Sequence, residues 1–81
     1  VMVNLHSTIG HDARVGAWST LSAHCDVTGR VQVAERVFLG SRVTIIPGKQ
    51  VGSRAILGAG AVVIANVAPG VTMVGNPAKV L

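Results

Sequence analysis

A histidine and an aspartate stand side by side in the stretch STIGHDARVG, residues 7–16. A neutral imidazole such as that of His11 can take a proton from an amine or a hydroxyl near neutral pH. The carboxylate of Asp12 could orient the ring and stabilise the imidazolium that forms. From the residues alone three interpretations stay open: an acid–base pair, a metal ligand with its neighbour, and a solvated polar pair on the surface.

The composition limits how such a pair can be positioned. The chain has 81 residues, which is one domain at most. It is 49% hydrophobic but holds one Trp, one Phe and no Tyr, so its core must consist of Val, Leu, Ile and Ala. Ten glycines and few helix-forming residues disfavour a helical bundle. No apolar run approaches the roughly 20 residues of a membrane span, and the first residues lack the plan of a signal peptide.

Charge and cysteine usage restrict the environment and the partners. The net charge of +4 comes from seven Lys and Arg against three acids. The bases are scattered and no aromatic residues alternate with them, which disfavours nucleic acid and fits a phosphate-bearing small molecule better. The single Cys25 excludes an internal disulfide, is expected to be a small buried residue, and fits a cytoplasmic protein. The chain begins at Val1 in the middle of its pattern, so we expect it to be a fragment of a longer protein.

A period of six residues runs through almost the whole sequence. Every sixth residue from Val3 is Val, Ile or Leu, and the expected inward positions are Val3, Ile9, Val15, Leu21, Val27, Val33, Leu39, Ile45, Val51, Leu57 and Val63. Four residues after each of these comes a small or β-branched residue, with Lys49 as the exception. A helical face drifts away from a six-residue repeat, whereas short strands separated by turns keep to it. Such strands pair only with the next coil, which predicts a parallel β-helix. The period by itself indicates neither the number of sides per coil nor the handedness.

The repeated pattern of an aliphatic residue, Gly, two residues and a small residue, together with ILGAGAVVIANVAPGVTMVGNPAKVL, resembles the hexapeptide-repeat acyltransferases. The segments GHDARVG and CDVTGRVQVAERVFLGSRVTIIPG are most similar to the sialic-acid and bacillosamine type of sugar acetyltransferase. The resemblance implies an all-β, left-handed parallel β-helix with three six-residue sides per coil and about four coils. It places this helix in residues 1–68, followed by a closing segment, 69–81, and it implies a homotrimer with the active site between neighbouring prisms.

The same resemblance assigns roles to individual residues. It implies transfer of an acetyl group from acetyl-CoA to an amino or hydroxyl group of a sugar or nucleotide-sugar. His11 would be the general base and Asp12 its partner. Gly29, which follows His11 by 18 residues on the same corner, would offer its backbone N–H to the oxyanion. From the residues alone Gly29 could equally be a turn glycine that needs a positive φ.

Acetyl-CoA needs a shallow groove bordered by small residues and a positive charge for its phosphates. The resemblance implies that such a groove follows one corner, where small residues recur every 18 positions: Ala23, Ser41, Ala59 and Pro77. At its far end Lys79 could contact the phosphates. Thr20 stands where some relatives have a second histidine near the thioester, so we expect a weaker contact there. Lys49 occupies an inward position, and we expect its corner to bulge so that the ammonium reaches water.

Two other functions compete with acetyl transfer. His6 and His11 have the H-x4-H spacing of two zinc ligands in the γ-class carbonic anhydrases, which share the β-helical fold. The third ligand of those enzymes comes from an upstream coil, for which this chain has no residues. The other competing function is a non-catalytic β-helix that serves for trimerisation. His6 and His24 are also 18 residues apart and are expected to stack without a shared role.

Overall fold

The computed structural model describes the backbone of residues 2–3 and the whole of residues 7–81. Within these residues the chain forms thirteen short strands: β1 Met2–Val3, β2 Thr8–Ile9, β3 Arg14–Val15, β4 Thr20–Leu21, β5 Asp26–Val27, β6 Gln32–Val33, β7 Phe38–Leu39, β8 Thr44–Ile45, β9 Gln50–Val51, β10 Ile56–Leu57, β11 Val62–Val63, β12 Thr72–Val74 and β13 Lys79–Val80. Tight turns join them. Each of the strands from β1 to β11 lies in a different six-residue repeat, as the period predicts.

The strands stack into a three-sided coil. Side A contains β1, β4, β7, β10 and β12, side B contains β2, β5, β8 and β11, and side C contains β3, β6 and β9. Pairing is parallel and joins residues 18 apart, for example Leu21 with Leu39 on side A and Val27 with Ile45 on side B. The chain is therefore an all-β parallel β-solenoid of about four turns, measuring 26 × 21 × 19 Å. We name its corners by the sides that they join: A/B, B/C and C/A.

The core is a column of aliphatic side chains inside the coil. From Leu21 to Val63 every predicted inward residue is buried, and Leu21, Leu39, Ile45 and Leu57 are the largest that are fully enclosed. Cys25 is buried as predicted, and its thiol donates a hydrogen bond to the Gly40 carbonyl. Ile9 is 43% exposed because β2 is the edge strand of side B within the described residues.

Lys49 lies in the wall of the coil without interrupting it. Its side chain is partly exposed, as expected for an ammonium that must reach water. Its carbonyl still accepts a hydrogen bond from the Gln32 N–H at 3.0 Å, and the N–H of Gly48 still bonds to the preceding coil. The predicted bulge is therefore wrong, since the backbone ladder continues through this corner.

The final coil is two residues shorter than the others. Val67 forms a bridge with Val51, and β12 pairs with β10 at a separation of 16 residues, as in Leu57 with Met73. The chain then reverses and β13 runs antiparallel to β12, with Val74 opposite Lys79. The predicted closing segment, 69–81, thus contains one more parallel strand before the reversal.

Several glycines allow the coils to approach each other closely. A Cβ added at Gly16 would lie 2.6 Å from the carbonyl carbon of Ala34 and 2.7 Å from the N of Glu35, both backbone atoms of the next coil. A Cβ added at Gly29 would meet only the His11 carbonyl oxygen, at an ordinary 3.4 Å. The spacing between coils therefore requires glycine at Gly16, whereas at Gly29 it leaves room for a Cβ.

We expect Gly16→Ala to lower the free energy of unfolding by roughly 1–3 kcal/mol, the usual effect of forcing extra atoms into a packed site. Gly29→Ala should change it by less than about 0.5 kcal/mol. Denaturant unfolding followed by circular dichroism measures both values. Equal destabilisation by the two variants would contradict the close approach at Gly16.

Candidate active site

Backbone hydrogen bonds between coils bring His11 and Gly29 together on the B/C corner. The N–H of Arg30 donates to the His11 carbonyl at 2.8 Å, and the N–H of Gly48 donates to the Gly29 carbonyl at 3.0 Å. Each bond joins one turn to the equivalent turn of the next coil. The 18-residue spacing that predicted this neighbourhood is thus confirmed by the ladder.

His11 and Asp12 contact each other at the surface of this corner. The Asp12 Oδ2 lies 3.2 Å from the His11 Nε2, and the two side chains are 90% and 65% exposed. Asp12 has a φ of 58°, in the left-handed region that aspartate tolerates better than most residues. In the tautomer that donates Nε2–H to the carboxylate, Nδ1 keeps its lone pair. The pair therefore has the geometry of an oriented base whose second nitrogen can accept a proton.

Gly29 lies one coil further along, and its conformation differs from the turn-glycine hypothesis. Positive φ at this turn belongs to the following residue, Arg30, at 62°. The prediction that Gly29 needs a positive φ is therefore wrong. No backbone carbonyl of the described residues accepts a hydrogen bond from the Gly29 N–H. The N–H groups at the same position of other turns, such as those of His11 and Ser41, also donate to no backbone carbonyl in the described part of the chain. Gly29 differs from these residues in its missing side chain and, from Ser41, in its place beside His11.

Gly10 contributes to this corner and was not among the predicted site residues. A Cβ added there would lie 2.6 Å from the Gly29 N and 2.6 Å from the Thr28 carbonyl carbon. The absent side chain therefore allows the Gly29 amide to sit against the residue that precedes His11. The signal in the sequence was the glycine that recurs directly after an inward aliphatic residue.

Three of the four small residues predicted to border a cofactor groove stack on the A/B corner. The N–H of Arg42 donates to the Ala23 carbonyl at 3.0 Å, and the N–H of Gly60 donates to the Ser41 carbonyl at 2.8 Å. Ser41 and Ala59 are exposed and Ala23 is half-buried. Pro77 does not continue this column. The shortened final coil breaks the 18-residue register, and Pro77 lies in the reversal between β12 and β13.

Thr20 and Lys79 both belong to side A. Thr20 opens β4 and is half-buried. Lys79 is exposed in β13, opposite Val74. The Cγ1 of Val74 lies 2.8 Å from where a Gly58 Cβ would be, so β12 ends, and β13 begins, close to the Gly58–Ala59 turn. Lys79 is thus near the C-terminal end of the A/B corner, where its predicted role requires it.

The two groups of predicted residues lie on different corners of one chain. His11, Asp12 and Gly29 are on the B/C corner, whereas Ser41 and Ala59 are on the A/B corner. The width of side B separates them. A single prism therefore does not bring the candidate base next to the candidate cofactor groove.

A groove of about 400 Å³ lies on side C, bordered by Gln32, Gln50 and Asn66, and none of the predicted site residues lines it.

Residues 7–81 hold no group of three or more His, Cys, Asp or Glu side chains arranged to bind a metal. His6, the other histidine of the H-x4-H spacing, lies outside the described residues, and so does its expected stacking with His24. Among the described residues no helix is long and apolar enough to cross a membrane.

Solved structures share this fold closely. The chain superposes on perosamine N-acetyltransferase of Caulobacter crescentus, in a variant with one histidine replaced by asparagine, with a TM-score of 0.95 and 34% identity over 99% of the chain. That protein was crystallised with CoA and GDP-perosamine. WeeI of Acinetobacter baumannii AYE superposes with a TM-score of 0.94 and 32% identity over 98% of the chain.

Sequence comparison finds relatives of the same kind. YvoF of Bacillus subtilis strain 168, whose name provisionally assigns it to the acetyltransferases, is 30% identical over all 81 residues. The chain spans 46% of YvoF and 40% of each of the two solved structures, so it corresponds to less than half of each. No protein-family model matches the sequence. The six-residue repeat, the three-sided coil and these likenesses together show that the chain belongs to the hexapeptide-repeat acyltransferase β-helix family.

Proposed function

We propose that this chain is the acetyl-transfer domain of an enzyme that moves acetyl from acetyl-CoA to an amino or hydroxyl group of a sugar or nucleotide-sugar. The observation that carries the proposal is the contact of His11 with Asp12 beside the Gly29 amide on one corner. The perosamine N-acetyltransferase that the chain resembles holds CoA and a nucleotide-sugar, which supports this class of donor and acceptor.

The chemistry needs a base at the acceptor and a dipole at the thioester. The free Nδ1 of His11 accepts the proton as the amine or hydroxyl attacks the thioester carbonyl. Asp12 keeps the ring oriented and stabilises the imidazolium. The new C–N or C–O bond forms, the C–S bond breaks, and the departing thiolate recovers the proton from His11. The N–H of Gly29 donates to no backbone carbonyl of the described residues, so it would be available to the oxyanion of the tetrahedral intermediate.

A second copy of the chain completes this site. Because the A/B and B/C corners lie on opposite edges of side B, acetyl-CoA on the A/B corner of one prism would meet His11 only on a neighbouring prism. A closed ring of three prisms repeats that contact at every interface, which favours a homotrimer. Ser41, Ala59, Thr20 and Lys79 would then bind the donor on one copy, and the neighbouring copy would supply the base.

Release of free CoA tests the proposal. The protein is incubated with acetyl-CoA and a panel of amino sugars, hydroxyl-bearing sugars and their nucleotide-linked forms, and the free thiol is titrated. Acceptor-dependent release supports acetyl transfer. Absence of both acetyl-CoA binding and thiol release would favour a trimerisation module. Zinc that copurifies in a stoichiometric amount, without added metal or an affinity tag, would favour the carbonic-anhydrase function instead.

A further inference from the structure

Residues other than glycine occupy turn positions with a positive φ, at which glycine would be less strained. Among the described residues, seven other than glycine have φ between 58° and 62°, namely Asp12, Trp18, His24, Arg30, Arg36, Arg42 and Arg54. Glycine holds a positive φ at the equivalent turns at Gly48, Gly60 and Gly70. For a bulky L-residue this conformation is an outlier. Because the same conformation recurs at turns of all three corners, it follows from the geometry of the coil, and each of these seven residues is exposed at its corner.

Three of these strained residues form one column on the C/A corner. The N–H of Arg36 donates to the Ala17 carbonyl at 2.9 Å, and the N–H of Arg54 donates to the Glu35 carbonyl at 3.1 Å. Trp18, Arg36 and Arg54 therefore follow one another on successive coils. With coils about 4.8 Å apart, the column spans roughly 10 Å. The indole of Trp18 is 77% exposed, and both arginines are exposed below it.

The positive charge of this column has no partner within the described residues. Their one close ion pair joins His11 to Asp12. Asp26 accepts a hydrogen bond from Thr8 on side B. Glu35 faces the same corner as the two arginines but forms no ion pair with either. An exposed indole and two unpaired guanidinium groups are thus aligned on one corner.

We propose that Trp18, Arg36 and Arg54 form a binding site for a nucleoside diphosphate. An indole face stacks on a nucleobase, and guanidinium groups bind phosphate oxygens with two parallel hydrogen bonds. The base and the diphosphate of such a ligand are separated by one ribose, a length comparable to the column. This site does not rest on the acetyl-transfer function, because side C separates it from the His11 corner.

The same chemical group occurs in two compounds that a sugar acetyltransferase could meet. A nucleotide-sugar carries a nucleoside diphosphate, and CoA carries an adenosine diphosphate. Binding of each compound is therefore measured separately. The ligand of this site is the compound whose affinity falls when Arg36 or Arg54 is replaced.

Fluorescence of Trp18 reports this site directly, because it is the only tryptophan in the chain. We expect ADP, GDP and UDP to quench its emission with saturation, and ribose to leave it unchanged. Arg36→Gln and Arg54→Gln should each weaken binding at least about tenfold, the usual loss of a charge-assisted hydrogen bond. For quenching of Trp18 by ADP, GDP and UDP, Arg42→Gln is the matched control, since Arg42 has the same φ of 62° but lies on the A/B corner.

A glycine variant separates binding from folding. Trp18→Gly should lose binding of the nucleoside diphosphate in calorimetry while its unfolding midpoint stays at least as high, because glycine adopts this φ without strain. Wild-type affinity in Arg36→Gln and Arg54→Gln, for nucleotide-sugar and CoA alike, would overturn the proposal. So would unchanged affinity in Trp18→Gly.

Discussion

His11→Ala is expected to slow acetyl transfer by about 10²- to 10⁴-fold, the usual contribution of a positioned general base. The side chain is 90% exposed, so its removal leaves the coil intact and acts on the proton transfer alone. Binding of acetyl-CoA should be unchanged, since the ring is not needed to hold the donor. Steady-state release of free thiol measures the rate, and calorimetry with acetyl-CoA measures the binding.

Asp12→Asn should reduce the rate less than His11→Ala does. The amide keeps the size of the carboxylate that lies 3.2 Å from the ring, but it loses the charge that stabilises the imidazolium. Steady-state release of free thiol measures the rate. A loss in Asp12→Asn as large as that in His11→Ala would argue against a supporting role for the carboxylate.

His6→Ala is the control that separates acid–base chemistry from metal binding. If His11 is the base, His6→Ala keeps most of the activity. If His6 and His11 are zinc ligands, both alanine variants lose metal and lose activity together. Equal damage by the two variants would therefore refute the interpretation of His11 and Asp12 as an acid–base pair.

Ser41→Trp is expected to abolish most acetyl-CoA binding while the coil stays folded. Ser41 is exposed in the middle of the A/B column, so an indole there fills the groove without entering the core. Calorimetry measures binding, and circular dichroism confirms the fold. Unchanged acetyl-CoA affinity in a correctly folded Ser41→Trp would mean that the donor groove does not follow this corner.

Mixing two inactive variants tests whether copies share the site. His11→Ala lacks the base but keeps an intact A/B corner, and Ser41→Trp has the reverse defect. After the two proteins are unfolded together and refolded, mixed oligomers should contain some sites with both functional halves. Partial recovery of activity supports a shared site. No recovery, with mixed oligomers shown by mass spectrometry, would mean that each chain works alone.

The sequence by itself determined the β-helix and its core. Each side of the coil contains one six-residue repeat, so an inward residue recurs at a constant interval and the aliphatic column from Leu21 to Val63 could be predicted. The 18-residue neighbourhood of His11 and Gly29 follows from the same period once three sides are known. That number came from the resemblance, because six-residue steps fit any number of sides.

Only the tertiary structure decided features that depend on how one coil bonds to the next. The contact of His11 with Asp12 and the positive φ at Arg30 rather than Gly29 arise from turn geometry, which a repeat of residue types does not specify. The final coil is two residues shorter than the others, as the pairing of Val67 with Val51 shows. The shorter coil places Pro77 outside the predicted column, in the reversal between β12 and β13.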